Sequence, residues 1–325
     1  MRSSWKLMVG ASLLLAGCSG GTGGTDTTPG PVGNGALITG SSAKASGDVV
    51  NTWRRYPIDS AGVPGDSNEL FVEKVTDDSK LTGVVDGRDP WLLTGLYEDY
   101  YTTRLEVREA ATGKVQRTLD VDKWCGGEGG EGRSCVLLDD KRLAHTPPLW
   151  FGSGVATVTI SSLETGKPIA EFGPYENLIQ LLGTDSPDHL ILVLAGEMAG
   201  KGDLAKPGPA TVLGLDLATS KTVEIGKSPA QWWAYCAITQ DTALGVSKDG
   251  DEWQLHAVGP APIADSLVGA DVGIPLGCSA DGKNIYFSMV PEDGPQSLER
   301  IALADGKRSE VMKFTSPEEP ASIIR

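Results

Sequence analysis

The feature that most constrains the fold of this chain is a hairpin pattern that recurs along its length. Four copies end in a tight turn with a lysine, at Lys114, Lys167, Lys221 and Lys307. In each copy, alternating apolar and polar residues run into Thr-Gly-Lys, Thr-Ser-Lys or Asp-Gly-Lys, where a glycine or small polar residue can take a positive φ. The pattern therefore predicts antiparallel hairpins.

The spacing of these hairpins predicts repeated four-stranded units. The four lysines lie 53, 54 and 86 residues apart, and the longest interval holds a further hairpin over residues 253–259 with a proline-rich turn. A strand, an Asp-containing turn and another strand precede several hairpins, as in residues 278–287. A unit of about 40–55 residues is the period of propeller blades.

We therefore predict an all-β chain that folds as a single β-propeller of four-stranded antiparallel blades. Six blades fit the spacing, and five or seven remain open. Five blades are expected over residues 80–120, 133–173, 177–226, 231–269 and 273–314. The sixth combines residues 49–75 with the terminal residues 321–325, which would close the ring by pairing both ends of the chain.

The N-terminus reads as a targeting segment. Arg2 and Lys6 precede a short apolar run over residues 7–16, the layout of a signal peptide. That run is too short to span a bilayer, which needs roughly 20 apolar residues. The segment ends Leu15-Ala16-Gly17-Cys18, which closely resembles the lipobox of bacterial lipoproteins.

The lipobox resemblance implies a signal peptide over residues 1–17, cleaved before Cys18, and a lipid on the Cys18 thiol. It implies a chain anchored in the cell membrane by this lipid and facing the extracellular or periplasmic side. The alternative is an ordinary secretory signal with a chance cysteine.

Residues 18–47 are predicted to be the lipidated cysteine followed by a flexible tether. Gly, Ser, Thr and Pro dominate this stretch, and such a composition cannot bury enough apolar surface to fold. The short run over residues 36–39 is apolar enough to pair as an edge strand. The propeller domain is accordingly expected over residues 48–325.

The propeller motifs also resemble known families. The Thr-Gly-Lys hairpins look like those of quinoprotein-like and WD-type propellers, and Ser279-Ala-Asp-Gly-Lys-Asn-Ile-Tyr-Phe resembles the repeat of TolB-like propellers. With the lipobox, the whole chain resembles a bacterial propeller lipoprotein of the kind found in actinobacteria. The resemblance implies blades and gives no basis for a quinone cofactor.

Four cysteines follow Cys18, and they can pair in three ways. Export from the cytoplasm permits their oxidation. Cys125 and Cys135 bracket a glycine-rich loop that can close, and Cys236 and Cys278 occupy like positions in inner strands of neighbouring blades. We therefore predict the disulfides Cys125–Cys135 and Cys236–Cys278. Four free, buried thiols are the alternative.

Charge and motif content exclude several classes of function. The net charge of −15 argues against nucleic acid, which needs a basic face, and against electrostatic attachment to anionic lipid. No C-x₂₋₄-C spacing suits zinc, and the acidic stretch 120–131 matches a calcium loop only in part. We expect no metal, no cofactor, no assigned catalytic residue, and a monomer.

One face of the predicted propeller collects aromatic side chains. Loops between blades and loops joining the second and third strand of a blade emerge on the same face, because antiparallel strands alternate in direction. We call this face the rim. Its predicted ligand-binding residues are Tyr100, Tyr101, Trp124, Trp150, Phe151, Trp232 and Trp233. Trp232 and Trp233 are adjacent, so one of the two is expected to point into the core.

Exposed aromatic residues beside carboxylates suit a sugar face or a protein partner. We therefore predict an anchored extracytoplasmic propeller that binds an envelope protein or glycan, a binder rather than an enzyme. The alternative is a glycan-acting hydrolase or lyase that uses two rim carboxylates as acid and base. The candidates are Glu98, Asp99, Glu128, Glu131, Asp251 and Glu252. A third hypothesis is a structural spacer, in which the rim aromatic residues contribute only to stability.

Overall fold

The computed structural model describes residues 35–45, 48–75, 80–98, 101–125, 134–147, 154–199, 206–230, 232–249, 252–263, 266–269, 274–289, 295–314 and 318–324. In this part of the chain the secondary structure consists of β-strands, and no helix of a length and apolarity that could cross a membrane occurs there.

Twenty-six strands follow one another along the described chain. They are β1 (Ala36–Ala45), β2 (Asp48–Pro57), β3 (Asn68–Val75), β4 (Lys80–Arg88), β5 (Trp91–Glu98), β6 (Tyr101–Glu109), β7 (Val115–Trp124), β8 (Cys135–Leu137), β9 (Arg142–His145), β10 (Val155–Ser162), β11 (Pro168–Glu176), β12 (Leu178–Gly183), β13 (His189–Leu194), β14 (Met198–Ala199), β15 (Lys206–Pro207), β16 (Thr211–Asp216), β17 (Lys221–Lys227), β18 (Trp232–Thr239), β19 (Thr242–Asp249), β20 (Glu252–Val258), β21 (Ser266–Gly269), β22 (Ile274–Cys278), β23 (Asn284–Met289), β24 (Ser297–Ala302), β25 (Arg308–Lys313) and β26 (Glu318–Ile324).

These strands build six four-stranded antiparallel blades, which confirms the predicted propeller. From the innermost strand outward, blade 1 is β4-β5-β6-β7, blade 2 is β8-β9-β10-β11, blade 3 is β12-β13-β16-β17, blade 4 is β18-β19-β20-β21 and blade 5 is β22-β23-β24-β25. Blade 6 is β26-β1-β2-β3, and the short hairpin β14-β15 projects from blade 3. The innermost strands contact one another around the central axis.

Blade 6 closes the ring by pairing the two ends of the described chain. Ala36 pairs with Ile324 and Ser41 with Glu318, so β26 supplies the inner strand and β1 to β3 the outer three. The prediction that both ends share a blade is confirmed. The predicted domain boundary at residue 48 is too late, because β1 already lies in this blade.

The expectation of an edge strand over residues 36–39 is also wrong. β1 lies between β26 and β2 and is therefore an interior strand. Its apolar residues Leu37 and Ile38 are completely buried, whereas the Gly and Ser residues that follow them gave the segment the composition of a linker. Residues 1–34, which include the lipobox and Cys18, lie outside the described residues.

The alternating strand directions give the propeller two distinct faces. We call upper the face on which the second and third strands of each blade are joined and on which the chain passes between blades; this is the face of the predicted rim. The lower face carries the other hairpins. Ala36 begins β1 and Ile324 ends β26 on the lower face.

The core consists of six clusters of buried apolar side chains, one at each boundary between neighbouring blades. Strand β13 shows how one strand supplies two of them. Leu190 and Leu192 pack towards blade 2, while Ile191 and Val193 pack towards blade 4. Successive side chains of a strand point to opposite faces, so a blade with two apolar faces must have a neighbour on each side.

Polar groups reinforce several of these boundaries. Gln180 Nε2 donates to the Ala234 carbonyl at 2.8 Å, which links the inner strands of blades 3 and 4. The buried Tyr286 hydroxyl of blade 5 donates to the Gly62 carbonyl of blade 6 at 3.0 Å. Arg142 of blade 2 pairs with Asp188 of blade 3 at 2.9 Å. These contacts fix the position of each blade relative to its neighbour.

Both predicted disulfides are present, and each joins two blades. Cys125 follows blade 1 and bonds to Cys135 at the start of blade 2, with 4.9 Å between the Cα atoms. Cys236 and Cys278 join the inner strands of blades 4 and 5 across 6.0 Å. All four cysteines are buried, so burial and oxidation coexist at these positions.

The tight turns that revealed the repeat have the predicted backbone conformation. Gly113 has φ 68° and Ser220, at the equivalent turn of blade 3, has φ 58°. At Gly113 a side chain is also excluded by space, because a Cβ atom there would lie 2.4 Å from the Leu70 carbonyl oxygen of blade 6. This turn therefore needs glycine for both its conformation and its packing.

We expect ring closure to limit the stability of the whole domain. Ile324 is completely buried at the junction of blades 6 and 1, so Ile324→Ala should lower the free energy of unfolding by about 2–5 kcal/mol. Ile169→Ala is the matched control, since Ile169 is 58% exposed on an outer strand, and its cost should stay below about 1 kcal/mol. Urea unfolding measures both. Equal losses would contradict the role of the closing strand.

Candidate functional site

A small cavity lies on the central axis in the lower half of the propeller. Its volume is about 40 Å³, and it is lined by inner-strand residues that include Asp86, Arg88, Leu137 and Cys278. Such a volume holds about three water molecules, far less than a small-molecule ligand requires. This cavity is therefore too small to be a ligand site of that kind.

Charged side chains at this cavity are engaged with the backbone of neighbouring blades. Arg88 Nη1 donates to the Leu138 carbonyl at 3.1 Å, and Arg88 Nη2 donates to the Asp185 carbonyl. Asp86 Oδ2 accepts the Leu137 amide at 2.7 Å. These contacts tie blades 1, 2 and 3 together, which is a structural role.

Most of the predicted rim lies beyond what the structure describes in side-chain detail. Tyr100, Trp150 and Phe151 are outside the described residues, as are Asp99, Glu128, Glu131 and Asp251. Tyr101 begins β6 and Trp124 ends β7, and Glu98 and Glu252 flank upper hairpins in the same way. These four backbone positions are at the upper face, as the loop argument predicts.

The structure corrects the assignment of Trp232 to the rim. Its side chain is only 5% exposed and lies in the core between blades 3 and 4. The indole occupies space over Gly245 on the adjacent strand, where a Cβ atom would come within 2.5 Å of Trp232 Cε2. A glycine inside a strand marks such a close approach, and Gly245 was the available sequence signal. Trp232 is thus the core member of the Trp232–Trp233 pair.

Trp233 has the opposite orientation and forms a pair with a tryptophan that the rim prediction missed. The rings of Trp233 and Trp253 have centroids 5.1 Å apart and are tilted by 58°. Both side chains are half-buried. Trp253 pairs in the sheet with Lys248, next to the hairpin that joins β19 and β20, so the tryptophan pair lies near the upper face.

Two further aromatic residues continue this cluster between blades 4 and 5. The Tyr235 and Phe287 rings meet edge to face, with centroids 6.5 Å apart. A bulge in β18 at residues 234–236 lets Tyr235 and Cys236 both pack towards blade 5. We call Trp233, Trp253, Tyr235 and Phe287 the blade 4–5 aromatic cluster.

This cluster contains two hydrogen-bond donors, the Tyr235 hydroxyl and the Trp233 indole N–H. Burial raises the pKa of the Tyr235 phenol to about 12, so the hydroxyl keeps its proton at neutral pH. Among the described residues, neither the Tyr235 hydroxyl nor the Trp233 indole N–H makes a hydrogen bond. Tyrosine and tryptophan side chains normally have a protein partner for these donors when they are fully buried. The cluster therefore combines apolar ring faces with two available donors.

The histidines have structural surroundings. His145, the last residue of β9, is buried, and its Nε2 atom lies 2.9 Å from Ser161 Oγ. Desolvation lowers the pKa of His145 to about 4, which keeps the ring neutral. His189 lies on the lower half of blade 3, where its Nε2 is 3.8 Å from Asp216 Oδ2. Within the described residues, no group of three or more His, Cys, Asp or Glu side chains could hold a metal ion.

The similarity of this chain to known proteins is one of three-dimensional structure. No protein-family model matches the chain, and no curated protein matches it either. TolB from Acinetobacter baumannii is similar in structure, with a TM-score of 0.44 and 12% identity over 86% of this chain and 69% of TolB. A putative TolB from Agrobacterium tumefaciens gives a TM-score of 0.47 and 9% identity over 86% of this chain and 89% of that protein.

The β-propeller domain of the Trilobed protease from Pyrococcus furiosus gives a TM-score of 0.44 and 10% identity over 87% of this chain and 85% of that domain. Structural similarity of this low degree implies nothing about binding or catalysis. The assignment of six blades rests on the strand pairing itself.

We expect His145 to make stability depend on pH between about 4 and about 6.5. Its folded-state pKa is below that of the unfolded chain, so the unfolded chain takes up the proton first as pH falls. The contribution of the neutral His145 ring to the free energy of unfolding is complete above about pH 6.5. This contribution, about 3 kcal/mol in all, is lost as the pH falls towards 4. His145→Gln should flatten this part of the stability–pH curve in urea unfolding. Ser161→Ala, which keeps the ring, should retain the slope, and an unchanged slope in His145→Gln would contradict the assignment.

Proposed function

We propose that this protein is a membrane-anchored propeller that binds an envelope protein or glycan through its upper face. The observation that carries the proposal is the pairing of Ala36 with Ile324 at the lower face. The chain upstream of β1 joins the propeller there, so an N-terminal anchor leaves the upper face directed away from the membrane.

The anchor in this proposal is a lipid on Cys18, after removal of residues 1–17. Seventeen residues, 19–35, separate Cys18 from β1, and at most about 3.6 Å per residue they span roughly 60 Å. That length allows the lower face to remain clear of the lipid surface. The acidic chain, with a net charge of −15, favours a lipid anchor over electrostatic adhesion to anionic membrane.

The described part of the upper face has features that support recognition. In the blade 4–5 aromatic cluster, the half-buried rings of Trp233, Trp253 and Tyr235 lie beside two donors, a composition typical of binding sites. This composition supports binding as the principal activity.

We expect Cys18→Ala to detach the protein from the membrane. The variant lacks the thiol that carries the lipid, so it should appear in the soluble fraction after cell fractionation, and its mass should lack the lipid increment seen in the parent chain. Ser19→Ala is the matched control and should remain membrane-bound. Membrane attachment of Cys18→Ala without a lipid-dependent mass difference would contradict the anchor.

We expect a bulky label on the upper face to block binding, whereas the same label on the lower face should not. Val155→Cys places a thiol at the upper end of β10, at a side chain that is 62% exposed, and Lys167→Cys places one in the lower turn of the same blade. Each is made in full-length Cys18→Ala protein and coupled to polyethylene glycol maleimide. Retention is measured on immobilised cell-wall glycan and on detergent-solubilised envelope proteins of the source bacterium.

The proposal requires retention that falls at least about fivefold with the upper label and by less than twofold with the lower one. The unlabelled variants serve as controls for the substitutions themselves. Retention that is lost only with the lower label, or unaffected by either, would overturn the assignment of recognition to the upper face. Retention on the glycan or on the protein identifies the class of ligand.

A further inference from the structure

Three half-buried aromatic side chains at the boundary between blades 4 and 5, backed by the buried Phe287, form a surface whose composition fits one class of ligand. Trp233 and Trp253 lie towards the upper face, and Tyr235 and Phe287 continue the cluster inward. The four side chains carry no charge, and the half-buried Met289 packs against the same boundary. A ligand here meets apolar ring faces first.

Two hydrogen-bond donors lie within this aromatic surface. The indole N–H of Trp233 and the hydroxyl of Tyr235 have no hydrogen-bond acceptor among the described residues, although both side chains are half-buried. In contrast, the buried Tyr286 hydroxyl and the Trp232 indole N–H have carbonyl acceptors, at 3.0 Å and 3.4 Å. Donors left available within an aromatic surface call for a ligand with oxygen acceptors.

The spacing of the tryptophan rings narrows the choice of ligand. A quaternary ammonium group binds within about 6 Å of the centroids of several rings that surround it. Trp233 and Trp253 have centroids only 5.1 Å apart, so the rings contact each other and leave no space for a cation between them. The ligand must therefore stack on an outer ring face.

The net charge of the protein disfavours another group of ligands. With 43 acidic against 28 basic residues, the chain repels polyanions such as uronate polymers over the Debye length of about 8 Å at physiological ionic strength. A pyranose ring without charge satisfies the remaining requirements, because its C–H faces stack on an indole while its hydroxyl oxygens accept hydrogen bonds.

We propose that the blade 4–5 aromatic cluster is a subsite for an uncharged sugar ring, which stacks on the outer face of the Trp233–Trp253 pair and accepts hydrogen bonds from Trp233 and Tyr235. This inference rests on the proposed function, since it assigns the ligand of the upper face to the glycan class. It predicts that recognition depends on these two donors in addition to the aromatic area.

Calorimetric titration of full-length Cys18→Ala protein tests the subsite with defined probes. The uncharged probes are cellotetraose, maltotetraose and the tetramer of N-acetylglucosamine; polygalacturonate and choline are the charged ones. At least one uncharged probe should bind, and neither charged probe should. Trp233→Ala should weaken that binding at least tenfold. Trp233→Phe, which keeps a ring but lacks the N–H, and Tyr235→Phe should each weaken it about threefold or more.

Tyr175→Phe is the matched control for the tyrosine, because burial also raises the pKa of the Tyr175 phenol but the residue lies on the outer strand of blade 2. Its affinity should change by less than twofold, and all variants should keep the parent melting temperature to within a few degrees. An equal loss in Tyr175→Phe and Tyr235→Phe would overturn the subsite. So would binding of choline or polygalacturonate in place of the uncharged probes.

The outcome is separable from that of the upper-face experiment. If no uncharged probe binds while the label at residue 155 still blocks retention of envelope proteins, the sugar subsite is overturned and the upper face remains a protein-binding surface. If the label at residue 155 has no effect and the uncharged probes do not bind, both proposals are overturned.

Discussion

Everything in this fold depends on the closure of the ring by β26 and β1. Each blade exposes two apolar faces, and only a closed ring gives both faces of all six blades a neighbour. The six buried clusters, one at each boundary, are the direct result. Closure by strands from opposite ends of the chain also makes the last boundary the most distant in sequence, and such a contact carries the largest loop-closure entropy.

The boundaries share an apolar core but differ in the additional contacts that hold them. Disulfides join blade 1 to blade 2 and blade 4 to blade 5, while hydrogen bonds and ion pairs reinforce other boundaries. The blade 4–5 boundary is unusual because its inner part is covalently linked near Cys236, while its upper part holds aromatic rings that are only half-buried. A rigid attachment close to the aromatic surface would preorganise the proposed subsite.

The two faces of the propeller are suited to different tasks. On the lower face, Arg88 and Arg142 use their guanidinium groups to bridge blades, and a cavity of about 40 Å³ lies on the axis. The chain also enters the fold on this side. The upper face carries the loops between blades and the tryptophan pair, so the proposed anchoring and the proposed recognition would occur at opposite ends of the molecule without competing for surface.

The architecture could be predicted from the sequence because its signals are local. The turns at Gly113 and Ser220 require positive φ, and alternating residues identify the strands on both sides, so the blades and both disulfides could be predicted from short stretches. The N-terminal limit of blade 6 could not, since the glycines and serines of β1 resemble a linker until β26 is placed beside them. Composition over a short window does not report a strand that is stabilised by a partner nearly 300 residues away.

The exposure of the aromatic side chains, in contrast, depends on tertiary contacts. Trp232 and Trp233 are neighbours in sequence, yet one fills the space over Gly245 and the other meets Trp253. The difference depends on which blade lies on each side of β18 and on a bulge at residues 234–236 that turns Tyr235 towards blade 5. Side-chain exposure in a propeller is set by contacts between blades, and these contacts join residues that the local sequence pattern does not relate.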